Sequence, residues 1–497
     1  MLNNLARIAV LGSVLECLWL LIFRITPLRA HSAEFVLLML ALFLVSLFAF
    51  FHCAIRDRKG VLMVMGFALL FRLSVLPAAP DQSEDVYRYL WDARLASLGI
   101  DPYRYPPDAP ELEPHRDTQI YPMLNSKPYV TAYPPLSQGL FRLSYRLFGP
   151  AVVPMKAVFS LLEFGSLLLA WRILVAFGAG LRPLFLMAWN PFFVFEFSHS
   201  GHSDSSMMFL VLLAIFLIQR SKKTWGMACF AGAILAKLHP ALWLPVLAGK
   251  VGWKATAACL AVTGGGVLLM LPPADWIRYA QSVRLYFRLF EFNAGIHYFL
   301  RFLGRAWYGE PWDKLTGPYL GIALIAVTIL IAWRFPARSA RDLLHAGFWI
   351  MTADLCLATT VHPWYLSWAA LALPIFPYAF MLYWTGACFL SYLAYSFQPV
   401  FEPTWVLLVE YLPMYALLGW EVYRGSPLLV KQESGVRSQE NSGRGAPGKP
   451  GRVRRFRIRG FEIRGFEDSR IRGFEDSRIR GSEIRGSEDS KFTVSNG

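Results

Sequence analysis

Long apolar runs constrain this chain more than any other feature of its sequence. Runs of roughly 18 or more apolar residues recur up to about residue 422, which is the length at which a helix crosses a bilayer. Only 17% of the residues are charged, whereas soluble domains hold about a quarter. We therefore expect an all-α polytopic membrane protein, with a bundle of about 11 to 14 transmembrane helices over residues 1–422.

The loops between the apolar runs differ in charge, and this difference predicts their sidedness. Four short segments are rich in Lys and Arg, and such loops lie on the cytoplasmic side: 55–60, 219–223, 249–254 and 334–342. This orientation makes 79–150 the large first external loop, with interfacial helices in it, and makes 273–314 a second external loop. Much of the net charge of +15 lies in the basic loops and the tail, so we expect no nucleic-acid partner.

The apolar run 225–248 is too short to cross the membrane twice, because two crossings need roughly 40 residues. Both of its flanking loops are nevertheless predicted to be cytoplasmic. Lys237, His239 and Pro240 interrupt the run near its middle. We therefore expect a broken hairpin, with Lys237 and His239 facing the non-cytoplasmic side or a cavity open to it.

The unusual polar residues fall in segments that are predicted to be non-cytoplasmic. Ionisable side chains at membrane edges cost free energy and usually have a function. We therefore expect one polar site, on the non-cytoplasmic face of the membrane. Its candidate residues are Glu84, Asp85, Arg88, Asp92, Arg116, Tyr133, Glu196, His202, Asp204, Lys237, His239, Arg288, Asn293, Arg301 and His362.

Residues 84–94 carry an amphipathic stripe at helical spacing, which predicts a helix lying at the membrane interface. The stripe consists of Tyr87, Leu90, Trp91 and Arg94. Glu84 and Asp85 stand at the start of this helix. They either cap the helix and favour its dipole, or act in catalysis. In the second case, burial and like charge would raise the pKa of one carboxyl, which makes it a general base.

The segment 189–208 and Lys237 contain further candidate binding residues, and each has more than one possible role. Glu196, His199, His202 and Asp204 either line a substrate pocket or bind a metal, although no third well-spaced ligand accompanies His202 and Asp204. Ser203 or Asp204 could also cap a helix. Lys237 either extends to the surface or binds an anion such as phosphate.

Two later segments also flank the predicted site. Residues 285–307 have the pattern of one basic amphipathic helix, with Arg288 and Arg301 on it. This helix is either a surface helix or a lip that admits a lipid phosphate. Residues 359–368 place His362 near a helix start, either in an aromatic belt or in the site.

Several short motifs follow one another in a fixed order between about residues 80 and 420. They are EDVYRYLWDAR, GIDPYRY, YPPL, WNPFFVFE, GHSD, KLHP, EFN and VHPWY. In this order and with this sidedness, the set resembles the GT-C superfamily of integral-membrane glycosyltransferases. Within that superfamily it is most similar to bacterial polyprenyl-phosphate-mannose-dependent mannosyltransferases.

The resemblance implies a GT-C-like bundle that transfers a hexose, in particular mannose, with inversion. It implies a polyprenyl-phosphate sugar donor, a glycan or lipid acceptor and surrounding membrane lipids as partners, on the non-cytoplasmic face. Asp85 takes the role of the general base, with Glu84 as its neighbour. The resemblance also implies donor-phosphate binding by Lys237, Arg288 and Arg301, and lining of the sugar site by His202 and Asp204. No cofactor is assigned, and a divalent metal stays an open alternative.

A transporter or flippase of lipid-linked sugars is the alternative function. Broken helices with polar residues at membrane depth also mark transporters. The sequence shows no clear internal repeat, and its polar residues gather on one face instead of at mid-membrane. Both features favour the enzyme.

The C-terminal segment 423–497 differs from the rest of the chain. It is polar and rich in Gly and Ser, and the motif IRGFEDSR recurs in it at Ile463 and Ile471. A period of about eight residues is too short for a repeat domain. We therefore expect a disordered, basic cytoplasmic tail.

Overall fold

The computed structural model describes residues 3–288, 290–309, 312–335 and 338–429, together with two short strands. Residue contacts divide the chain into two units, 1–445 and 446–497. In the second unit, β1 (Arg457–Ile458) pairs with β2 (Phe461–Glu462) in antiparallel fashion. Apart from these strands, the predicted disorder of the tail falls outside the described residues from residue 430 onward.

The first unit is built from α-helices. The N-terminal helices are α1 (Asn4–Leu20), α2 (Ser32–His52), α3 (Arg58–Val75), α4 (Asp85–Ser97), α5 (Pro135–Phe148) and α6 (Val152–Ala176). The next are α7 (Phe185–Ala188), α8 (Pro191–Val194), α9 (Asp204–Gln219), α10 (Lys223–Ala236), α11 (Leu244–Val251) and α12 (Trp253–Met270). The last are α13 (Trp276–Arg288), α14 (Gly295–Tyr308), α15 (Asp313–Arg334), α16 (Ala340–Leu357), α17 (Ser367–Ala370), α18 (Ala379–Ala387) and α19 (Thr404–Arg424). The predicted all-α architecture is confirmed.

Six of the described helices are long and apolar enough to cross a membrane. They are Asn4–Arg24, Ser32–His52, Val152–Ala176, Trp253–Met270, Leu315–Arg334 and Thr404–Arg424. Their outward faces carry large apolar side chains, such as Leu37 and Leu161, which are 67% and 68% exposed. The protein is therefore a multi-pass membrane protein, while the total of about 11 to 14 spans stays a prediction.

A separate apolar cluster holds residues 79–150 against the bundle. It joins Leu90 and Trp91 of α4 to Phe141 of α5 and Phe159 of α6, all four with no exposed surface. The stripe that predicted an interfacial helix is therefore packed against protein on its Leu90 and Trp91 side. The expectation that α4 lies against lipid headgroups is wrong for these two residues, because α5 and α6 cover them.

The run 225–248 forms the broken hairpin that its length predicts. α10 ends at Ala236, and Lys237 has an extended backbone with φ −152° and ψ 137°. A 3₁₀ turn, His239–Trp243, then leads into α11. The break leaves Lys237 and His239 together at the tip of the hairpin.

The single helix predicted over 285–307 is wrong. α13 ends at Arg288 and α14 begins at Gly295. Between them, the Phe292 N–H donates to the Thr359 carbonyl at 3.3 Å, and the Phe292 carbonyl accepts from Val361 N–H at 2.8 Å. This pairing with a distant segment replaces the helical hydrogen bonds that the local pattern favours.

Candidate active site

Glu84 and Asp85 are neighbours in the chain, but their side chains have different partners. Glu84 forms an ion pair with Arg29. Asp85 Oδ2 lies 3.6 Å from Nδ1 of His202, and its Oδ1 accepts a hydrogen bond from Asn125 Nδ2 at 3.3 Å. Glu84 and Asp85 therefore have different partners, and of these two only Asp85 lies beside His202.

His202 lies between two carboxylates. Its side chain is fully buried, with Nε2 3.3 Å from Glu196 Oε2 and Nδ1 near Asp85. The Tyr392 hydroxyl donates to Glu196 at 3.0 Å and fixes that carboxylate. Burial alone would lower the pKa of His202, but the two carboxylates outweigh it and raise the pKa to about 9. His202 is therefore a cation at neutral pH.

The cationic His202 also decides the ionisation of Asp85. Burial raises the pKa of Asp85, but the interaction with His202 outweighs burial and the pKa ends below its ordinary value. The sequence interpretation expected a raised pKa from a pair of carboxylates, and that expectation is wrong. The reason is that Glu84 points to Arg29 while a cation faces Asp85.

Lys237 enters the same cluster from the tip of the hairpin. Its Nζ lies 3.0 Å from Asp204 Oδ1, and Trp368 Nε1 donates to the same oxygen at 2.7 Å. The ammonium also lies 5.0 Å from the ring centroid of Tyr365. The Lys237 side chain is only 16% exposed, so it does not extend to the surface.

His239, two residues further on, ties the hairpin to α16. Its Nδ1 lies 2.7 Å from Asp354 Oδ2, and its ring stacks on Trp368 with a centroid distance of 3.6 Å. Lys237 and His239 therefore both contact Trp368 and both pair with a carboxylate.

A column of stacked rings runs from His202, which lies beside Asp85, to Tyr395, which lies beside Arg29, the partner of Glu84. Neighbouring ring centroids are 3.8, 4.4, 4.9 and 5.8 Å apart along His202, Trp364, His362, Phe292 and Tyr395. The guanidinium of Arg29 lies 5.1 Å from the Tyr395 ring centroid. Burial lowers the pKa of His362 to about 3, so this member of the column is neutral.

Other candidate residues in the segment 79–150 make contacts within that segment. Arg88 Nε donates to Asp92 Oδ1 at 2.9 Å, and Gln138 Nε2 donates to Asp92 Oδ2 at 2.8 Å. Arg116 donates to the Ala109 carbonyl at 3.0 Å. The ring of Tyr133 packs edge-on against Tyr89 at 4.9 Å. These contacts fold the loop, and a role in binding substrate stays a prediction.

The candidates in the segment 273–314 have carboxylate partners of their own. Asn293 Nδ2 donates to both oxygens of Glu410, at 3.0 and 3.1 Å. Arg301 forms an ion pair with Glu291. The side chain of Arg288 lies outside the described residues, so the predicted phosphate-binding lip of Arg288 and Arg301 stays a prediction.

The sequence analysis missed a buried ion pair inside the bundle. Arg72 Nη2 donates to Glu163 Oε1 at 2.8 Å, and both side chains are at most 1% exposed. Lys156 was also missed, although its Nζ donates to the carbonyls of Leu76 at 2.8 Å and Ala78 at 2.6 Å. All three charged residues lie within apolar runs of the sequence. A charged residue in such a run indicates a buried, paired side chain, and these three could have been predicted on that ground.

The described part of the chain contains no set of side chains suited to bind a metal ion. No group of three or more His, Cys, Asp or Glu side chains there could hold a metal ion. His202 instead lies between the carboxylates of Asp85 and Glu196, at 3.6 and 3.3 Å.

The fold and the buried cluster together define a class, a multi-pass membrane protein with a charged site at one end of its helix bundle. Comparison with known proteins narrows the class. Residues 6–253 match the family model described as "Alpha-(1->6)-mannopyranosyltransferase, N-terminal domain". The chain is also 24% identical over 330 residues to alpha-(1->6)-mannopyranosyltransferase A of Mycobacterium tuberculosis.

These matches confirm the resemblance to the GT-C membrane glycosyltransferases, and in particular to mannosyltransferases. The alignment with the mycobacterial relative covers 61% of this chain and 63% of the relative's length. No solved structure matches the chain.

Proposed function

We propose that this protein is a membrane glycosyltransferase that moves a mannosyl residue from a polyprenyl-phosphate donor to a hydroxyl of a glycan or lipid acceptor. The observation that carries the proposal is the pairing of a carboxylate with cations in one buried cluster. Asp85 faces His202, and Lys237 is near enough to favour the ionised form of Asp85. The printed names of the family and of the mycobacterial relative support the sugar class.

Asp85 acts as the general base in this proposal. The acceptor oxygen forms a bond to the anomeric carbon while the bond from that carbon to the donor phosphate oxygen breaks, and Asp85 takes the hydroxyl proton. A lowered pKa keeps Asp85 ionised at neutral pH. The acceptor hydroxyl becomes strongly acidic only as its bond to the sugar forms, so a weak base suffices in the transition state. A single displacement of this kind inverts the anomeric configuration.

Lys237 stabilises the leaving phosphate. Negative charge develops on the phosphate oxygen as the sugar departs, and a fixed cation in a water-poor site lowers the free energy of that transition state. The ammonium carries three donors, and one carboxylate oxygen, Asp204 Oδ1, lies 3.0 Å from it. Lys237 can therefore keep Asp204 as its partner and still reach a phosphate.

The reaction takes place on the non-cytoplasmic face of a bacterial plasma membrane in this proposal. Its support is the charge of the loops, because the basic segments 219–223, 249–254 and 334–342 are short and lie between the predicted spans. The hairpin places Lys237 at the end away from 219–223, since α10 runs from Lys223 to Ala236.

The test uses purified protein in nanodiscs that contain polyprenyl-phosphate-mannose, with candidate glycan and glycolipid acceptors added. The proposal predicts consumption of the donor, release of polyprenyl phosphate and an acceptor heavier by one hexose in mass spectrometry. A donor that stays chemically intact but changes leaflet in proteoliposomes would assign the protein to the flippase class and overturn the proposal.

A further inference from the structure

A basic pocket lies between three helix ends that the proposed reaction does not use. Its volume is about 200 Å³. The cations in its lining are Lys223 at the start of α10, Lys250 near the end of α11, and Arg338 just before α16. Ile218, Val251 and Leu343 form an apolar wall beside them.

The pocket lies at the end of the bundle opposite the candidate active site. α9 begins at Asp204, beside Lys237, and ends at Gln219 in the pocket. A helix of 16 residues is about 24 Å long, so the two sites are separated by most of a bilayer core. The pocket is therefore a site of its own.

The charge of the pocket is not neutralised by described residues. Lys223, Lys250 and Arg338 form no ion pair within the described part of the chain, and none of the described lining residues carries a carboxylate. The neighbouring Asp342 does not line the pocket, and its Oδ2 accepts the N–H groups of Arg338 and Ser339 at 2.9 Å each. Three cations in one lining that contains no described carboxylate favour an anionic ligand.

Exposed tryptophans give the depth of the pocket relative to the membrane. Trp225, Trp253 and Trp333 are 70%, 73% and 75% exposed. Each lies two to five residues along the chain from one of the three cations. Trp side chains gather at the headgroup level of a bilayer. The pocket therefore opens where lipid headgroups lie, and its apolar wall continues toward the acyl chains.

We propose that this pocket binds the phosphate of an anionic phospholipid headgroup. Lys223, Lys250 and Arg338 contact the phosphate oxygens, and Arg338 supplies the planar donor pair that suits two of them. The acyl chains run along the wall of Ile218 and Leu343. Loop 55–60 offers a control, because Arg56, Arg58 and Lys59 carry the same charge and do not line this pocket.

The test measures the thermal unfolding midpoint of the full chain in a neutral detergent. The ligands are short-chain phosphatidylglycerol, phosphatidylcholine of equal chain length, and inorganic phosphate. A ligand that binds the folded protein raises the midpoint in a saturable way. The variants are the triple substitution Lys223→Gln, Lys250→Gln, Arg338→Gln and the matched triple substitution Arg56→Gln, Arg58→Gln, Lys59→Gln.

Phosphatidylglycerol is expected to raise the midpoint of the wild type and of the loop 55–60 variant at the same concentration. The pocket variant is expected to need about 30- to 100-fold more lipid or to show no saturation, since the contributions of three basic side chains to binding an anionic lipid multiply. An equal response of all three proteins would overturn the proposal. Inorganic phosphate acting as strongly as the lipid, with the same dependence on the pocket, would overturn the lipid as the source of the phosphate.

The single variant Arg338→Gln covers the case in which the triple pocket variant does not fold. It removes one charge at an exposed position and is expected to weaken the lipid response about three- to fivefold. An unchanged lipid response in folded Arg338→Gln protein would count against the proposed contact.

Discussion

The two ends of the helix bundle use charge in opposite ways. Around Asp85 and His202 the charged side chains are mostly buried and paired with each other, whereas Lys223, Lys250 and Arg338 are exposed and lack described ion-pair partners. Burying charges costs several kcal/mol each unless partners compensate. Burial therefore requires partners of opposite sign at the end around Asp85 and His202, whereas the exposed cations at the other end are available to an anionic ligand.

The two ends are nevertheless linked by the same helices. α9 and α10 each run from one end to the other, and α16 begins beside the basic pocket and carries Asp354 toward His239. A change at either end could therefore disturb the other through rigid helices. Matched variants at the two ends distinguish an effect of one site from an effect carried along these helices.

Asp85→Asn should abolish most sugar transfer, because the amide keeps the shape of the side chain but cannot take a proton. We expect a loss on the order of 10³-fold in the transfer rate. The unfolding midpoint should also fall, because His202 loses one of the two carboxylates that stabilise its cationic form. The measurement is the initial rate of donor consumption in nanodiscs. Glu84→Gln is the matched control, and it should lose less than about tenfold because Glu84 pairs with Arg29. An equal loss in both variants would contradict the assignment.

Lys237→Met should slow transfer by on the order of 10²-fold, since it removes the cation that faces the leaving phosphate. The rate at saturating donor should fall more than the apparent donor affinity if the cation acts mainly in the transition state. Steady-state kinetics over a range of donor concentrations separates the two effects. Arg56→Gln removes the same charge from an exposed loop and should change neither value. If Arg56→Gln were as damaging as Lys237→Met, total charge and not the buried site would be responsible.

The stability of the buried end should depend on the protonation of His202. Its pKa is raised from 6.5 to about 9, so the stabilisation is fully present below pH 6.5 and is lost as pH rises through about 9. The shift corresponds to a stabilisation on the order of 3 kcal/mol. Unfolding midpoints between pH 6 and pH 10 should therefore fall for the wild type, and His202→Gln should flatten the curve. Arg338→Gln at the exposed end should leave the pH dependence of the unfolding midpoint unchanged. A wild-type midpoint that does not vary with pH would contradict the charged state of His202.

Trp364→Leu should have the smallest effect on the pH dependence, because it removes a ring that stacks on His202 and His362 but leaves both carboxylates beside His202 in place. A cation over an aromatic face is worth about 1 to 2 kcal/mol when it is desolvated. The pH at which stability is lost should therefore move down by about one unit. The same pH series measures it, with Trp364→Phe retaining part of the effect. A midpoint that does not move in Trp364→Leu would show that the ring only fills space.

Much of the arrangement could be predicted from the sequence. The apolar runs predict the all-α membrane bundle, and the polar break at Lys237 predicts the hairpin. Loop charge placed Asp85, His202 and Lys237 on one side, and the structure brings these three residues into one cluster.

The partners of these residues could not be predicted, since side-chain direction depends on packing between distant segments. Glu84 and Asp85 have different partners because these come from different segments. Arg29, between α1 and α2, pairs with Glu84, and His202, just before α9, lies beside Asp85. The break between α13 and α14 arises from the backbone pairing of Phe292 with 359–361, about seventy residues away, which no local pattern reveals.

The central claim is that Asp85 takes a proton in a single displacement at the buried end. The anomeric configuration of the transferred sugar, compared with that of the donor by nuclear magnetic resonance, tests this claim most directly. A base that only removes the proton predicts an inverted product. A product with retained configuration would show that a side chain first forms a bond to the sugar, and would contradict the role given to Asp85.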